Sequence, residues 1–353
     1  MEFNLEDLLR PNIKKLKPYS SARTEFKGKA SILLDANENP YNLPYNRYPD
    51  PFQTKLKERL SQIKGVAQEN LFLGNGSDEI IDLLIRAFCI PSRDKILTFS
   101  PSYTMYITSA EINDVEVVEL NLTADFDLPI DKVLEQLKDE SLKIIFICTP
   151  NNPVGNLVPC EILSQICNSF KGLVVLDEAY ADFSAEGSML DLLGKYPNLC
   201  VIQTLSKAYG LAGLRLGLGF GSTQLIQILN KIKPPYNVSQ ATQDIVLQSL
   251  SQTNKVEEEI KKICNTRERL YAYLIDSSLF SKVYPSEANF ILVQTRYYKE
   301  LYEYLCERGV VVRIRNIPPT LQEGLRFTIG TESENKELMK YITEFETRRK
   351  NAD

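Results

Sequence analysis

The chain has 353 residues, of which 43% are hydrophobic and 25% charged, and its formal net charge is −5. No block of like charges stands out, which argues against a nucleic-acid or membrane-surface role driven by bulk electrostatics. It has no histidine, which removes Ser-His and Cys-His nucleophile pairs and His-based metal sites, so any proton carrier is Lys, Tyr, Asp, Glu or Cys. The length favours a large domain plus a smaller one over a single core.

The start, MEFNLEDLLR, is acidic and lacks the apolar core of a signal peptide. No run of about 18 apolar residues predicts a membrane span. Residues 1–44 are extended and rich in turn formers, and they are expected to pack on the small domain or on a partner subunit. From 52 the pattern turns helical (FQTKLKERLSQIKG), then LFLGNGSDE reads as a loop and IIDLLIRAFCI as a buried helix. Strands follow at 95–100, 142–149, 172–178, 199–206 and 214–220, with helical stretches after the first at YTMYITSAEI and then near 159–170 and 188–195. These strands are continuous apolar runs, the mark of a parallel sheet covered by helices on both faces. The strand–helix alternation gives an α/β doubly wound core over 45–270. A long helical pattern covers 239–275, and 271–353 reads as a small α+β domain with strands NFILVQT, GVVVRIR and LRFTIG and helices at 297–308 and 332–349. Cysteines 89, 148, 160, 167, 200, 264 and 306 are odd in number, show no CxxC spacing, and read mostly as buried free thiols of a reducing cytoplasm.

In an open parallel sheet, ligands bind beyond the carboxyl ends of the strands. Asn151 and Asn152 follow the strand at 142–149, and Asp177 and Tyr180 the strand at 172–178. Ser206 and Lys207 follow 199–206, Ser102 and Tyr103 follow 95–100, and Gly74-Asn75-Gly76-Ser77 opens the helix after 76. Each has a bland reading. Lys207 alone is a solvated loop residue, Asp177 a cap, GNGS a turn with an N-cap, and PNNPVG loop punctuation. VVLDE also reads as a Walker B strand, but the chain contains no GxxxxGK[ST] loop to go with it. The improbable feature is their joint occurrence at one edge. A helix N-terminus at Ser77, with Arg215 and the hydroxyls of Thr204 and Ser206, suits a phosphate, and Asp78 and Glu79 would face away from it. A lysine that forms a Schiff base, with an aspartate for a pyridinium nitrogen, is the protein half of a pyridoxal phosphate site.

SPSYTMY, TPNNPVGN, VVLDEAYADF and TLSKAYGLAGLRLG resemble the motif series of fold-type I, class II aminotransferases, and specifically the histidinol-phosphate aminotransferases. The likeness runs nearly collinearly from Tyr19 to Gly330, and its motifs are more specific for cofactor and fold than for substrate. It implies a fold-type I transferase dependent on pyridoxal 5'-phosphate. Lys207 resembles the Schiff-base lysine, Asp177 the partner of the ring nitrogen, Asn152 and Tyr180 the ligands of the phenolic oxygen, and Tyr103 the stacking aromatic. Gly76, Ser77, Asp78 through its backbone, Thr204, Ser206 and Arg215 resemble the phosphate cup. Tyr48 resembles the tyrosine that reaches the neighbouring subunit's phosphate, which implies a homodimer. Val154 departs from the threonine of many relatives.

The last strands add an independent clue. Alternation places Arg313 and Arg326 on the face of their strands opposite the apolar residues, and a Pro-Pro loop between them permits a hairpin. Two arginines brought together suit a dianion, although a solvated strand face explains the pattern equally well. In the resemblance Arg326 takes a substrate carboxylate or phosphate, Arg313 is its phosphate-binding companion, and Tyr19 a further phosphate contact. The expected reaction is transamination of L-histidinol phosphate with 2-oxoglutarate in a cytoplasmic enzyme without metal. Its rivals are a lyase like threonine-phosphate decarboxylase, an aromatic amino acid aminotransferase, and a non-catalytic relative, which should lack the lysine or the aspartate.

Overall fold

In the computed structural model, residues 3–351 are described except 21, 27, 29, 30, 42 and 43. The larger sheet contains β1 (Leu71–Asn75), β2 (Lys95–Ser100), β3 (Glu116–Asn121), β4 (Leu142–Cys148), β5 (Leu173–Asp177), β6 (Leu199–Thr204) and β7 (Leu216–Phe220). Their spatial order is β1-β7-β6-β5-β4-β2-β3, with β7 alone antiparallel to its neighbours. The apolar runs are continuous because both faces are covered. Ile145, Ile147, Val174, Leu176 and Val201 feed one core. Their chain neighbours Ile144, Phe146, Leu173, Val175, Cys200 and Ile202 feed the other.

Two strands escape the sequence reading. LFLGN is not a loop but β1, and its glycine-interrupted run conceals it. The glycines are there for close packing: a Cβ on Gly217, opposite Gly74 in β7, would lie 2.4 Å from the Gly76 carbonyl carbon and the Ser77 nitrogen. β3, EVVELN, is an edge strand with one neighbour, so it needs no continuous apolar run. The helix Thr223–Ile232, capped by the Ser222 hydroxyl, also went unread. The helix expected near 188–195 is only a 3-10 turn, Leu190–Gly194. The long pattern at 239–275 divides into helices Gln240–Ser249 and Thr253–Asp276 around a 3-10 turn at Leu250–Gln252.

The second sheet has β8 (Lys282–Val283), β9 (Phe290–Gln294), β10 (Arg313–Ile317) and β11 (Leu321–Thr328), ordered β10-β11-β9-β8 and antiparallel throughout. Helices Tyr298–Cys306 and Glu332–Lys350 cover it, and Leu270, Leu274, Ile291, Val293, Leu325, Phe327 and Ile342 share its core. Thr253–Asp276 runs unbroken through residue 270 and links this unit to the larger one.

The start of the chain behaves differently from expectation. Leu5 and Leu9 are buried among the helices of the larger sheet, not against the smaller unit. The Arg10 N–H and guanidinium donate to the carbonyls of Ala87 and Arg86, both at 3.0 Å. The apolar Leu5, Leu8 and Leu9 in an otherwise acidic stretch carry this docking. Farther on, the buried Glu38 carboxylate accepts from Arg23 at 2.8 Å, Arg47 at 2.7 Å and the Tyr48 N–H at 2.7 Å. Leu16, Tyr19, Phe26, Ile32, Leu34 and Tyr41 are left exposed along this segment.

Candidate active site

A cleft lies at the carboxyl ends of the larger sheet's strands. Asn152 reaches it from beyond β4, Asp177 and Tyr180 from β5, and Thr204, Ser206 and Lys207 from β6. Tyr103 enters after β2, Ser77 and Asp78 from the helix Ser77–Phe88 after β1, and Arg215 from just before β7. This is the edge at which open α/β sheets gather ligands.

The Ser77 end is built around two unusual backbone positions. Gly76 has φ 78° and donates its N–H to the Arg215 carbonyl at 2.8 Å, while Arg215 itself sits at φ 53°. The positive φ is what favours glycine at 76, and a Cβ there would also come within 2.7 Å of the Arg215 guanidinium. The free N–H groups of the first helical turn, the Ser77 hydroxyl and Arg215 thus converge. The Thr204 and Ser206 hydroxyls lie 3.0 Å apart beside them. One expectation about this corner fails. The Asp78 carboxylate does not turn away: it accepts from the Tyr103 phenol at 2.9 Å and pairs with Arg215 at 3.5 Å. Those two donors offset its charge. Glu79 does turn away, and accepts from the Asn75 N–H and from Asn237.

At the floor, Asp177 is buried, with one oxygen accepting from the Tyr106 phenol at 2.6 Å and the other from the Ala179 N–H at 3.1 Å. Burial pushes the Asp177 carboxyl up, and these two donors pull against it. Tyr106 is fully buried and stacks on Phe146 at 4.8 Å. Sequence reasoning missed it, since no local pattern in SPSYTMY ties Tyr106, in the helix Met105–Ile112, to Asp177. Glu178, the other acid of VVLDE, points out of the cleft and accepts from Ser188, the Met189 N–H and Gln203.

Lys207 is exposed on the cleft, with its amine 5.7 Å from the centre of the Tyr180 ring and no hydrogen bond or ion pair among the described residues. Burial of its surroundings pushes the amine pKa down, and Arg326 and, more weakly, Arg215 push the same way, while Asp177 opposes them. Tyr180, buried edge-on against Phe290, accepts from Asn152 at 3.4 Å.

The smaller sheet meets the cleft at Asn152, one of the cleft's lining residues. Arg313 and Arg326 are direct cross-strand partners, as alternation suggested. Arg326 donates to the Asn152 side-chain oxygen and lies 5.0 Å from the Phe290 ring centre. Its buried Nε has no hydrogen-bond partner among the described residues. Arg315, which the sequence argument left without a role, shares this face. Tyr19 and Tyr48 are not brought to the cleft within one chain: both are exposed, and Tyr48 stacks on Tyr236 at 4.5 Å.

The fold and cleft define a fold-type I transferase of pyridoxal phosphate. The profile of the family "Aminotransferase class I and II" matches residues 31–342. The chain is 51% identical over 336 residues to a histidinol-phosphate aminotransferase of Parabacteroides distasonis, covering 95% of this chain and 97% of that one. It is 48% identical over 343 residues to one of Cytophaga hutchinsonii, covering 96% and 98%. A crystal structure of the Sinorhizobium meliloti histidinol-phosphate aminotransferase in complex with pyridoxal-5'-phosphate is similar in fold, with a TM-score of 0.78, 24% identity and coverage of 85% and 84%. The chain belongs to the class I and II aminotransferases, which use pyridoxal phosphate, and within them to the histidinol-phosphate aminotransferase family.

The residues present fit that cofactor. A buried carboxylate, a pKa-lowered lysine, and a helix N-terminus cleared by Gly76 lie in one cleft. Among the described residues no group of three or more acidic or cysteine side chains gathers as a metal site, and no helix is long and apolar enough to cross a membrane.

Proposed function

We propose that the protein moves the amino group of L-histidinol phosphate to 2-oxoglutarate, giving imidazole acetol phosphate and L-glutamate, reversibly, as a step of L-histidine biosynthesis. The observation that carries this reading is the meeting of Lys207 and Asp177 in one cleft, with Arg326, the cross-strand partner of Arg313, hydrogen-bonded to the cleft-lining Asn152. In the reading, Ser77, Arg215, Thr204, Ser206 and the backbone at Gly76 and Asp78 hold the cofactor's phosphate. Asp177 holds the ring nitrogen, Asn152 and Tyr180 the phenolic oxygen, and Tyr103 covers a ring face. Bound pyridoxal phosphate supplies the electron sink that takes up the charge left on a deprotonated substrate carbon.

Lys207 tethers the cofactor and, once released by the substrate amine, takes the proton from the substrate carbon and returns one. That work requires a neutral amine, and the downward push on its pKa favours that form. Asp177, fixed by Tyr106 and Ala179, keeps a negative charge where a protonated ring nitrogen needs it. Arg313 and Arg326 bind the substrate's phosphate or a carboxylate, and Tyr19 adds a contact. Residues 45–270 serve as the cofactor-binding unit and 271–353 as the smaller unit. The chain works as a homodimer in the cytoplasm, with Tyr48 reaching the partner's site. The exposed apolar side chains from Leu16 to Tyr41 support a partner covering that segment.

The experiment is amino transfer from histidinol phosphate to 2-oxoglutarate by the purified protein, followed as glutamate. Glutamate formed in step with the keto product supports the reading. Release of CO2 without need of a keto-acid acceptor would instead mark a decarboxylase. Arg313→Ala is expected to raise the KM for histidinol phosphate about 10- to 100-fold, the worth of one charge-assisted contact. An unchanged KM would remove the phosphate assignment.

A further inference from the structure

β10 carries a second arginine that the roles above do not use. In its register with β11, Arg313 lies opposite Arg326, Ile314 opposite Leu325, and Arg315 opposite Gly324. Leu325 is fully buried in the small unit's core, and Ile314 packs against that core. Alternation therefore turns Arg313, Arg315 and Arg326 to the other face, the one from which Arg326 reaches Asn152. Gly324 has no side chain to cover Arg315, and none fits: a Cβ there would lie 2.4 Å from the Arg315 carbonyl oxygen.

Arg315 is half-buried, and its guanidinium makes no hydrogen bond or ion pair among the described residues. Many of the chain's other arginines have carboxylate or carbonyl acceptors, as Arg23 with Glu38, Arg86 with Asp82 and Arg267 with the Ala288 carbonyl show. The charged neighbours of Arg315 are Arg326 and Arg313, and the one group that favours its charge is the Tyr180 phenol. Burial and these two arginines bring it down to about 10. A solvated strand-face arginine, the bland alternative, would be exposed as Arg313 is. Three guanidiniums on one face without a carboxylate repel each other. A doubly charged anion seated among them removes that repulsion.

We propose that Arg315 is a third cationic contact for the substrate's phosphate and sets the selectivity for the phosphorylated substrate over its unphosphorylated counterpart. This rests on the reading of Arg313 and Arg326 as the phosphate end of the site. Arg315 works beside that pair, from the Tyr180 side, where a singly charged group gains less from a third cation.

The test measures kcat/KM of the holoenzyme for histidinol phosphate and for histidinol, with inorganic phosphate as a competing probe. Arg315→Gln is expected to lower the ratio of the two kcat/KM values about tenfold and to weaken phosphate inhibition by a similar factor. Arg315→Lys, which keeps the charge without the fork, should recover part of both. The visible absorbance of the bound cofactor reports whether each variant keeps its site. An unchanged ratio overturns the proposal, whether neither substrate loses, both lose equally, or the pH titration of the absorbance alone shifts. The last would assign Arg315 to Tyr180 alone. If the wild-type enzyme itself does not prefer the phosphorylated substrate, the parent reading of Arg313 and Arg326 fails, and Arg315's role with it.

Discussion

Lys207→Ala is expected to cut kcat for amino transfer by about 10⁴-fold or more, the scale of losing a positioned proton carrier and covalent tether together. The expectation follows from the absence of a substitute. The chain has no histidine. Tyr103 and Tyr180 line the cleft, but burial raises both phenols, so neither is a base near neutral pH. Cys148 also lines the cleft, and burial raises its thiol as well. Lys207→Arg separates charge from proton transfer. It keeps the cation but cannot give up a proton near neutral pH, so it too should be inactive. If Lys207→Arg retained substantial activity, Lys207 would be a source of charge and not a base. The measurement is single-turnover kinetics with cofactor content checked for each variant.

Asp177→Asn is expected to lower kcat about 10²- to 10³-fold, the usual range for removing a preorganised electrostatic partner of the reacting group. The amide keeps the shape of the side chain and removes its charge. In the wild type that charge is held in a buried place by the Tyr106 phenol at 2.6 Å and the Ala179 N–H at 3.1 Å. An isolated buried carboxylate would be costly, and the two donors favour its ionised form against the opposing effect of burial. Tyr106→Phe should therefore give a milder loss of the same kind, because the carboxylate stays but becomes easier to protonate. Near-normal turnover in Asp177→Asn would mean that the ring nitrogen needs no anionic partner here. Steady-state kinetics together with retained cofactor content decide it.

Much of the site could be read from the sequence, because its key residues end strands of unmistakable pattern. The runs KIIFIC, GLVVLD and LCVIQT left little choice about where Asn152, Asp177 and Lys207 would lie. The Ser77 corner was legible from GNGSDE even though the strand before it was not. β1 hid because its glycines serve close packing with the next helix, and packing of that kind leaves no periodic mark. β3 hid because an edge strand alternates only weakly. Tyr106 and Arg315 were missed for a common reason. Each acts on a group far away in sequence, Asp177 for one and Tyr180 for the other, and only the folded chain brings them together. The docking of the first residues on the larger unit was not read, because a few leucines in an acidic stretch suffice for it. Tyr19 and Tyr48 came from family resemblance alone, and neither touches the cleft of its own chain.

The central claim is that Lys207 carries the cofactor in this cleft. Other lysines offer a real alternative, since burial brings Lys57 and Lys233 down to about 8. The direct measurement is to reduce the purified holoenzyme with borohydride, digest it, and locate the phosphopyridoxyl group by mass spectrometry. The account predicts the label on the peptide containing Lys207 and its loss in Lys207→Ala. A label on Lys57, Lys233 or any other lysine, or no label in a protein that binds the cofactor, would contradict it.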